Sequence, residues 1–177
     1  MKKTFLSIFI FSAVTLLQAQ QNFDIGYTFG SAKSYSLSAK PSVLRFVYGY
    51  EFNKNLAGEL LLGTGLAGGQ LKIDGDDYFD VKYKIKNAYG LYLTPKFDFN
   101  EQFSTFIRVG WAAGKADVSS SIGQETVNLD SENSFSYGVG LAYSVNPKTS
   151  IKLDYMSYLS KNSLDITGLT LSVGFKF

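Results

Sequence analysis

Residues 167–177 read T-G-L-T-L-S-V-G-F-K-F. In an extended chain Leu169, Leu171, Val173, Phe175 and Phe177 share one face, while Thr170, Ser172, Gly174 and Lys176 share the other. Alternation this strict describes a strand with one apolar and one polar side. In a soluble sheet such a strand would offer an open edge to aggregation. As the closing strand of a barrel, with an aromatic at a membrane interface, it leaves no edge at all.

The same alternation recurs along the chain. It predicts eight strands near 22–31, 42–52, 56–69, 79–99, 102–117, 134–145, 149–159 and 167–177. Three connections are tight and polar: Asn53-Lys54-Asn55, Asn100-Glu101 and Asn146-Pro147-Lys148. The other four, 31–41, 70–78, 117–133 and 160–166, are longer. Short turns at one end and longer loops at the other are the layout of an eight-stranded, antiparallel, up-and-down transmembrane β-barrel.

Each strand keeps one apolar parity, as in Leu44, Phe46, Tyr48, Tyr50 and Phe52, or Tyr137, Val139, Leu141 and Tyr143. A soluble ligand-binding barrel would show the same pattern turned inside out, and volume separates the two. The apolar set is bulky, too much for the interior of eight strands, whereas the opposite set is rich in Gly, Ala, Ser and Thr. Aromatics gather near strand ends, as expected of a membrane girdle.

The polar parity carries nearly all the strand charges. Asp24, Glu51, Glu59, Asp98 and Asp154 stand against Arg45, Lys96, Arg108, Lys152 and Lys176. This balanced set predicts ion pairs that fill the lumen, because charges buried there without partners would be costly. A small gated pore, with Arg45 or Arg108 as the movable partner, is the alternative.

At the other end, Lys2 and Lys3 precede an apolar run from Phe5 to Leu17 and then Gln18-Ala19-Gln20. That is the pattern of a secretory signal peptide over 1–19, cleaved after Ala19, which leaves 20–177 as the barrel. The two signal lysines account for the whole formal net charge of +2, so the basic balance gives no reason to expect nucleic acid. The chain has no Cys and no His, which removes disulfides, the usual zinc sites and Ser-His or histidine acid–base catalysis. No cofactor is expected.

Three local motifs need weighing. Gly63-Thr-Gly65-Leu-Ala-Gly68 has the G-x-G-x-x-G spacing of a dinucleotide site, but more strand follows where that mechanism needs a helix. Asp74-Gly-Asp76-Asp77 with Asp80 could offer carboxylates to calcium, yet the spacing and distal Glu of a calcium loop are missing. Lys82, Lys84 and Lys86 alternate below that loop. Their parity points them inward or over the rim, so a solvated extension that pairs with nearby Asp is expected, rather than contact with lipid phosphates or an acidic partner.

Together these features resemble the small eight-stranded outer-membrane β-barrel family: the OmpA transmembrane domain, OmpX and the opacity-like porin proteins. The resemblance covers the whole mature chain. It is carried by residues 138–155, G-V-G-L-A-Y-S-V-N-P-K-T-S-I-K-L-D-Y, and by the closing strand. In that family the last strand bears a signal read by the barrel-assembly machinery. Thr170, Val173, Phe175 and Phe177 match it, with Ser172 where Gly is usual and the Gly displaced to 174. The resemblance implies residence in the cell outer membrane, contact with its lipids and lipopolysaccharide, and no catalysis. It also implies a structural or adhesion-like role through the loops, 117–133 above all, with a narrow porin as the alternative.

Overall fold

The computed structural model describes residues 20–73, 76–120, 126–128, 131–161 and 163–177. The expected signal peptide lies outside them. Eight long strands form the wall: β1 (Gln21–Ser34), β2 (Ser42–Asn53), β3 (Leu56–Ala67), β4 (Asp76–Asp98), β5 (Phe103–Ser120), β6 (Glu132–Asn146), β7 (Thr149–Lys161) and β8 (Leu164–Lys176). Each pairs antiparallel with its chain neighbours. β1 pairs with β8 from Asn22↔Lys176 to Ser34↔Leu164, closing the ring. With no free edge, the backbone hydrogen bonds are satisfied within the wall, which a strand protein in lipid requires.

The three short turns share one device, an asparagine at their start. The Asn53 side-chain oxygen accepts from the backbone N–H of Asn55 at 2.9 Å, and that of Asn146 accepts from Lys148 at 2.9 Å. Asn100 accepts from Gln102 at 2.9 Å and from Phe103 at 2.7 Å. An asparagine side chain standing in for a backbone carbonyl reverses the chain without help from the rest of the barrel.

The opposite end departs from the expected loops. The strands run on past the membrane band, and three short strands join them: Leu37–Ala39, Gly69–Ile73 and Thr126–Asn128. The segment expected as an open loop at 31–41 is a hairpin turning at Tyr35 and Ser36, with Tyr35 at φ 50°. At 160–166 the ladder continues to Lys161↔Leu164, with Ser163 at φ 64°. Tyr and Ser are uncommon at positive φ, so neither turn carries a sequence signal.

Which face is inside is settled by exposure. Leu91 and Trp111 are 66% and 63% exposed, whereas Arg108 is 1% exposed. The wall is therefore apolar outside and polar inside. Aromatic pairs mark both edges of the outer band. Trp111 meets Phe135 edge-on at 5.5 Å toward the loop side, and Phe103 meets Tyr143 at 5.0 Å near the turns.

A bulge between Ile85 and Asn87 in β4 reverses this order. Below it Tyr89, Leu91 and Leu93 face outward; above it Tyr83 is buried while Lys82, Lys84 and Lys86 are exposed. Of the two orientations that parity leaves open for these lysines, the inward one does not hold, and their exposure fits the solvated extension over the rim. One extra residue shifts a two-residue period by half. The pairing with Asp holds for Lys86, which lies 3.6 Å from Asp117.

The bulge also explains the glycine motif. A Cβ on Gly65 would fall 1.7 Å from the Ile85 carbonyl oxygen, so the bulged strand occupies the space of a side chain there. Strand follows these glycines, at Gly69–Ile73 and again from Asp76, with no helix among the described residues there to hold a pyrophosphate. The Gly65→Ala variant is expected to lose about 1–3 kcal/mol of stability in urea unfolding from lipid vesicles, by overpacking. Gly58→Ala, whose Cβ would meet only the tip of the Phe52 ring at 3.0 Å, is expected to lose far less.

Candidate functional site

Nine of the ten charged residues expected in the lumen meet there in two groups. The upper group is built around Asp154 on β7. Arg45 on β2 clamps it with both terminal nitrogens, Nη1 donating to Oδ2 at 2.7 Å. Arg108 on β5 places Nη1 3.0 Å from the same carboxylate and pairs through Nε with Glu59 on β3. Its Nη2 is 3.8 Å from Asp24 on β1, which Lys152 holds at 2.7 and 2.8 Å. Three cations thus face three anions, and the arginines and carboxylates are almost wholly buried.

The lower group is looser. Glu51 takes Lys96 and, at 3.6 Å, Lys176, while the Asn22 amide donates to Glu51 at 3.4 Å. Asp98 departs from the expected cluster. It stands exposed at the turn-side mouth and enters no ion pair among the described residues. It forms the last pair of the β4–β5 ladder, with Ser104, below the layer where the wall shields side chains from water.

These long charged side chains fit inside eight strands because of what sits opposite them. Arg45 pairs across the sheet with Gly26 and Gly63, and Glu59 with Gly49. Arg108 pairs with Gly138, Asp154 with Gly140 and Asp24 with Gly174. Each large ion lies over a neighbour with no side chain, so a lumen that could hold only small residues throughout holds large and absent ones in alternation.

The sequence reading missed the neutral residues that complete this interior. The Tyr158 hydroxyl accepts from Arg45 Nη1 at 3.0 Å, and the Phe106 ring lies 4.6 Å beneath the Arg108 guanidinium. Ser136 donates to the Ser157 carbonyl at 2.7 Å, so the Tyr92 hydroxyl, 3.0 Å away, must be the donor to Ser136. Val47, Leu61, Tyr92, Ala112 and Met156 pack into an apolar collar. An aromatic or aliphatic residue on the polar parity, as Tyr92, Met156 and Tyr158 are, is the signal that could have found them.

Two cavities flank this collar and the charged group. One of about 380 Å³ opens at the turn side and reaches Glu59, Arg108 and Lys152. The other, about 110 Å³, lies toward the loops and has Arg45 and Tyr158 at its base. Among the described residues no group of His, Cys, Asp or Glu is placed to hold a metal ion. Asp74 of the candidate calcium loop lies outside the described residues, as do the side chains of Asp76, Asp77 and Asp80.

The four closing-strand residues divide between the faces. Thr170 is buried, its hydroxyl 2.8 Å from that of Thr28, while Val173, Phe175 and Phe177 are exposed on the outer band.

A family model described as "Outer membrane protein beta-barrel domain" matches residues 4–177. No curated protein sequence matches the chain. Among solved structures, Ail, the attachment invasion locus protein of Yersinia pestis, in complex with the heparin analogue sucrose octasulfate, is 23% identical. It superposes with a TM-score of 0.65 over 90% of this chain and 99% of its own. Neisserial surface protein A gives a TM-score of 0.70 at 16% identity, over 89% and 97%. OprG of Pseudomonas aeruginosa gives 0.57 at 12%, over 90% and 95%. At these identities the likeness is one of fold.

The buried pairs generate a test of their own. Asp154→Ala leaves Arg45 and Arg108 facing each other without their shared carboxylate, and is expected to cost about 3–5 kcal/mol in urea unfolding. Replacing the pair together, Arg45→Met with Asp154→Leu, is expected to recover a large part of that loss. Equal losses in both variants would show that the pair's packing, and not its charge, is what counts.

Proposed function

The chain belongs to the outer membrane protein β-barrel domain family, and from that premise we propose that it is a non-catalytic surface protein, anchored by its barrel and acting through its extracellular end. Its lumen is closed to solutes by ion pairs. The observation that carries the closure is the group centred on Asp154, in which residues from five strands meet with Arg45 and Arg108 at 2% and 1% exposure. A path for ions would have to part paired charges that lie almost wholly buried, at the cost of leaving each without its partner.

The surface role draws support from the wall above the membrane band. There the bulge in β4 turns Lys82, Lys84 and Lys86 outward, next to Lys115 on β5. Lipid headgroups that carry phosphate are suited to such a row, since an ammonium is a point charge that pairs with them. The proposed partners are therefore outer-membrane lipids and lipopolysaccharide at the lysine row, and an extracellular macromolecule at the ends of the strands. Because 31–41 and 160–166 are closed hairpins, and the ladder within 70–78 also runs to Ile73↔Asp76, 117–133 offers most of that contact. Residues 74–75, 121–125 and 129–130 lie outside the described set. The anionic ligand held by the Ail structure agrees with such a role. Export by a cleaved peptide over 1–19, and reading of Thr170, Val173, Phe175 and Phe177 by the barrel-assembly machinery, complete the proposal.

A narrow porin is the second reading. It is favoured by the turn-side cavity, which already brings water-sized space to Glu59 and Arg108. Planar-bilayer recording separates the two. The surface reading expects a silent wild-type barrel, with current only in a variant such as Arg108→Ala; steady wild-type current would establish the porin. Deleting 117–133 is expected to abolish adhesion of expressing cells to a host surface while leaving heat-shifted gel migration intact. Undiminished adhesion would remove that loop from the proposal.

A further inference from the structure

The cavity on the loop side differs in kind from the charged lumen beneath it. Its walls include Val43, Leu61, Ala116, Leu159 and Ile166, with Tyr83 above, and carbon makes up nearly all of its lining. Two irregularities build it. The bulge in β4 turns Tyr83 and Ile85 inward, and a second bulge between Ser157 and Leu159 in β7 brings Leu159 to 5% exposure. At its upper edge the lining reaches Glu132, which is exposed at the loop-side end of the barrel.

The base of this chamber holds one hydroxyl with a proton to give. Tyr158 accepts from Arg45, and no acceptor for its own O–H is present among the described residues. A hydroxyl that accepts from a guanidinium is polarised toward donating. The charges below are balanced, with Arg45, Arg108 and Lys152 against Asp24, Glu59 and Asp154, so nothing there selects a net charge in the occupant. The volume, about 110 Å³, is of the order of the apolar cavity of ~150 Å³ that takes benzene.

We propose that this chamber is a binding site, entered from outside the cell, for a small uncharged apolar molecule carrying one hydrogen-bond acceptor, which Tyr158 receives. The site is separate from the surface contacts proposed above, and neither depends on the other.

Cyclohexanone has the required size and single acceptor, and cyclohexane is its acceptor-free control. With the full chain in lipid nanodiscs, the backbone amide signals of Gly30, Gly63 and Gly114, all in the lining, serve as reporters. Cyclohexanone is expected to shift them saturably, and Tyr158→Phe to weaken that binding about five- to tenfold while leaving the response to cyclohexane unchanged. Ala116→Phe fills the chamber and is expected to abolish both responses. Ala112→Phe serves the same purpose if heat-shifted migration shows that the first variant does not fold. Shifts that grow without saturation, or that persist in the filled variant, would place the molecule in lipid and overturn the proposal. So would contacts in the wild-type spectrum showing that side chains of 121–125 already occupy the chamber.

Discussion

An eight-stranded ring encloses too little space for water to solvate a charge, and every other feature of this interior answers to that limit. An ion placed there must find its counter-ion on another strand: the adjacent residues of its own strand point away into lipid, and glycines stand abreast of Arg45, Arg108 and Asp154. Asp154 meets this condition by taking Arg45 from one wall and Arg108 from another. The limit acts on volume as well. Arginine fits at 45 and 108 because Gly26, Gly63 and Gly138 sit opposite, so the glycines of one strand and the ions of the next are a single packing solution. Changing either alone either leaves a void or drives atoms together.

The outer face is governed by a different solvent, and the backbone couples the two. Alternation by two ties every lipid-facing residue to a lumen-facing one, so the membrane band can extend only as far as the parity holds. In β4 it stops at the bulge, and the consequence is chemical. The face that carries Tyr89, Leu91 and Leu93 in lipid carries lysine one turn of the pleat above. Gly65 on β3 accepts the displaced Ile85 carbonyl, so the irregularity is built into two strands.

Periodic features were legible in the sequence, and features set by register were not. The eight strands, the polar lumen and the apolar exterior follow from alternation alone. The Asn-led turns follow from local turn chemistry. The partners of Arg45 and Arg108 depend on which residues stand abreast across the ring, and no single strand holds that information. The reach of the lumen was overestimated at Asp98, where parity is right but the wall has ended. Parity alone leaves Lys82, Lys84 and Lys86 inward or over the rim, because the bulge that turns them to solvent leaves no mark in composition. Tyr158 is legible from alternation, since it shares the parity of Lys152 and Asp154 and brings a polar tip to that face.

The places where parity fails are not spread evenly. The bulges at Ile85/Asn87 and Ser157/Leu159, and the positive-φ turns at Tyr35 and Ser163, all lie toward the loop end. The turn-side half keeps strict order apart from the small register shifts beside the hairpin turns at Glu51/Asn53 and Thr149/Ser150. A barrel whose anchor is the regular half can change its upper half at little cost, because the ion pairs that fix the ring sit below the irregular region. The same division sorts the lumen into a charged lower part and a carbon-lined upper part. The chemistry of the upper wall is therefore set at the irregular end, where one added residue per strand decides whether lysine, tyrosine or leucine meets the solvent.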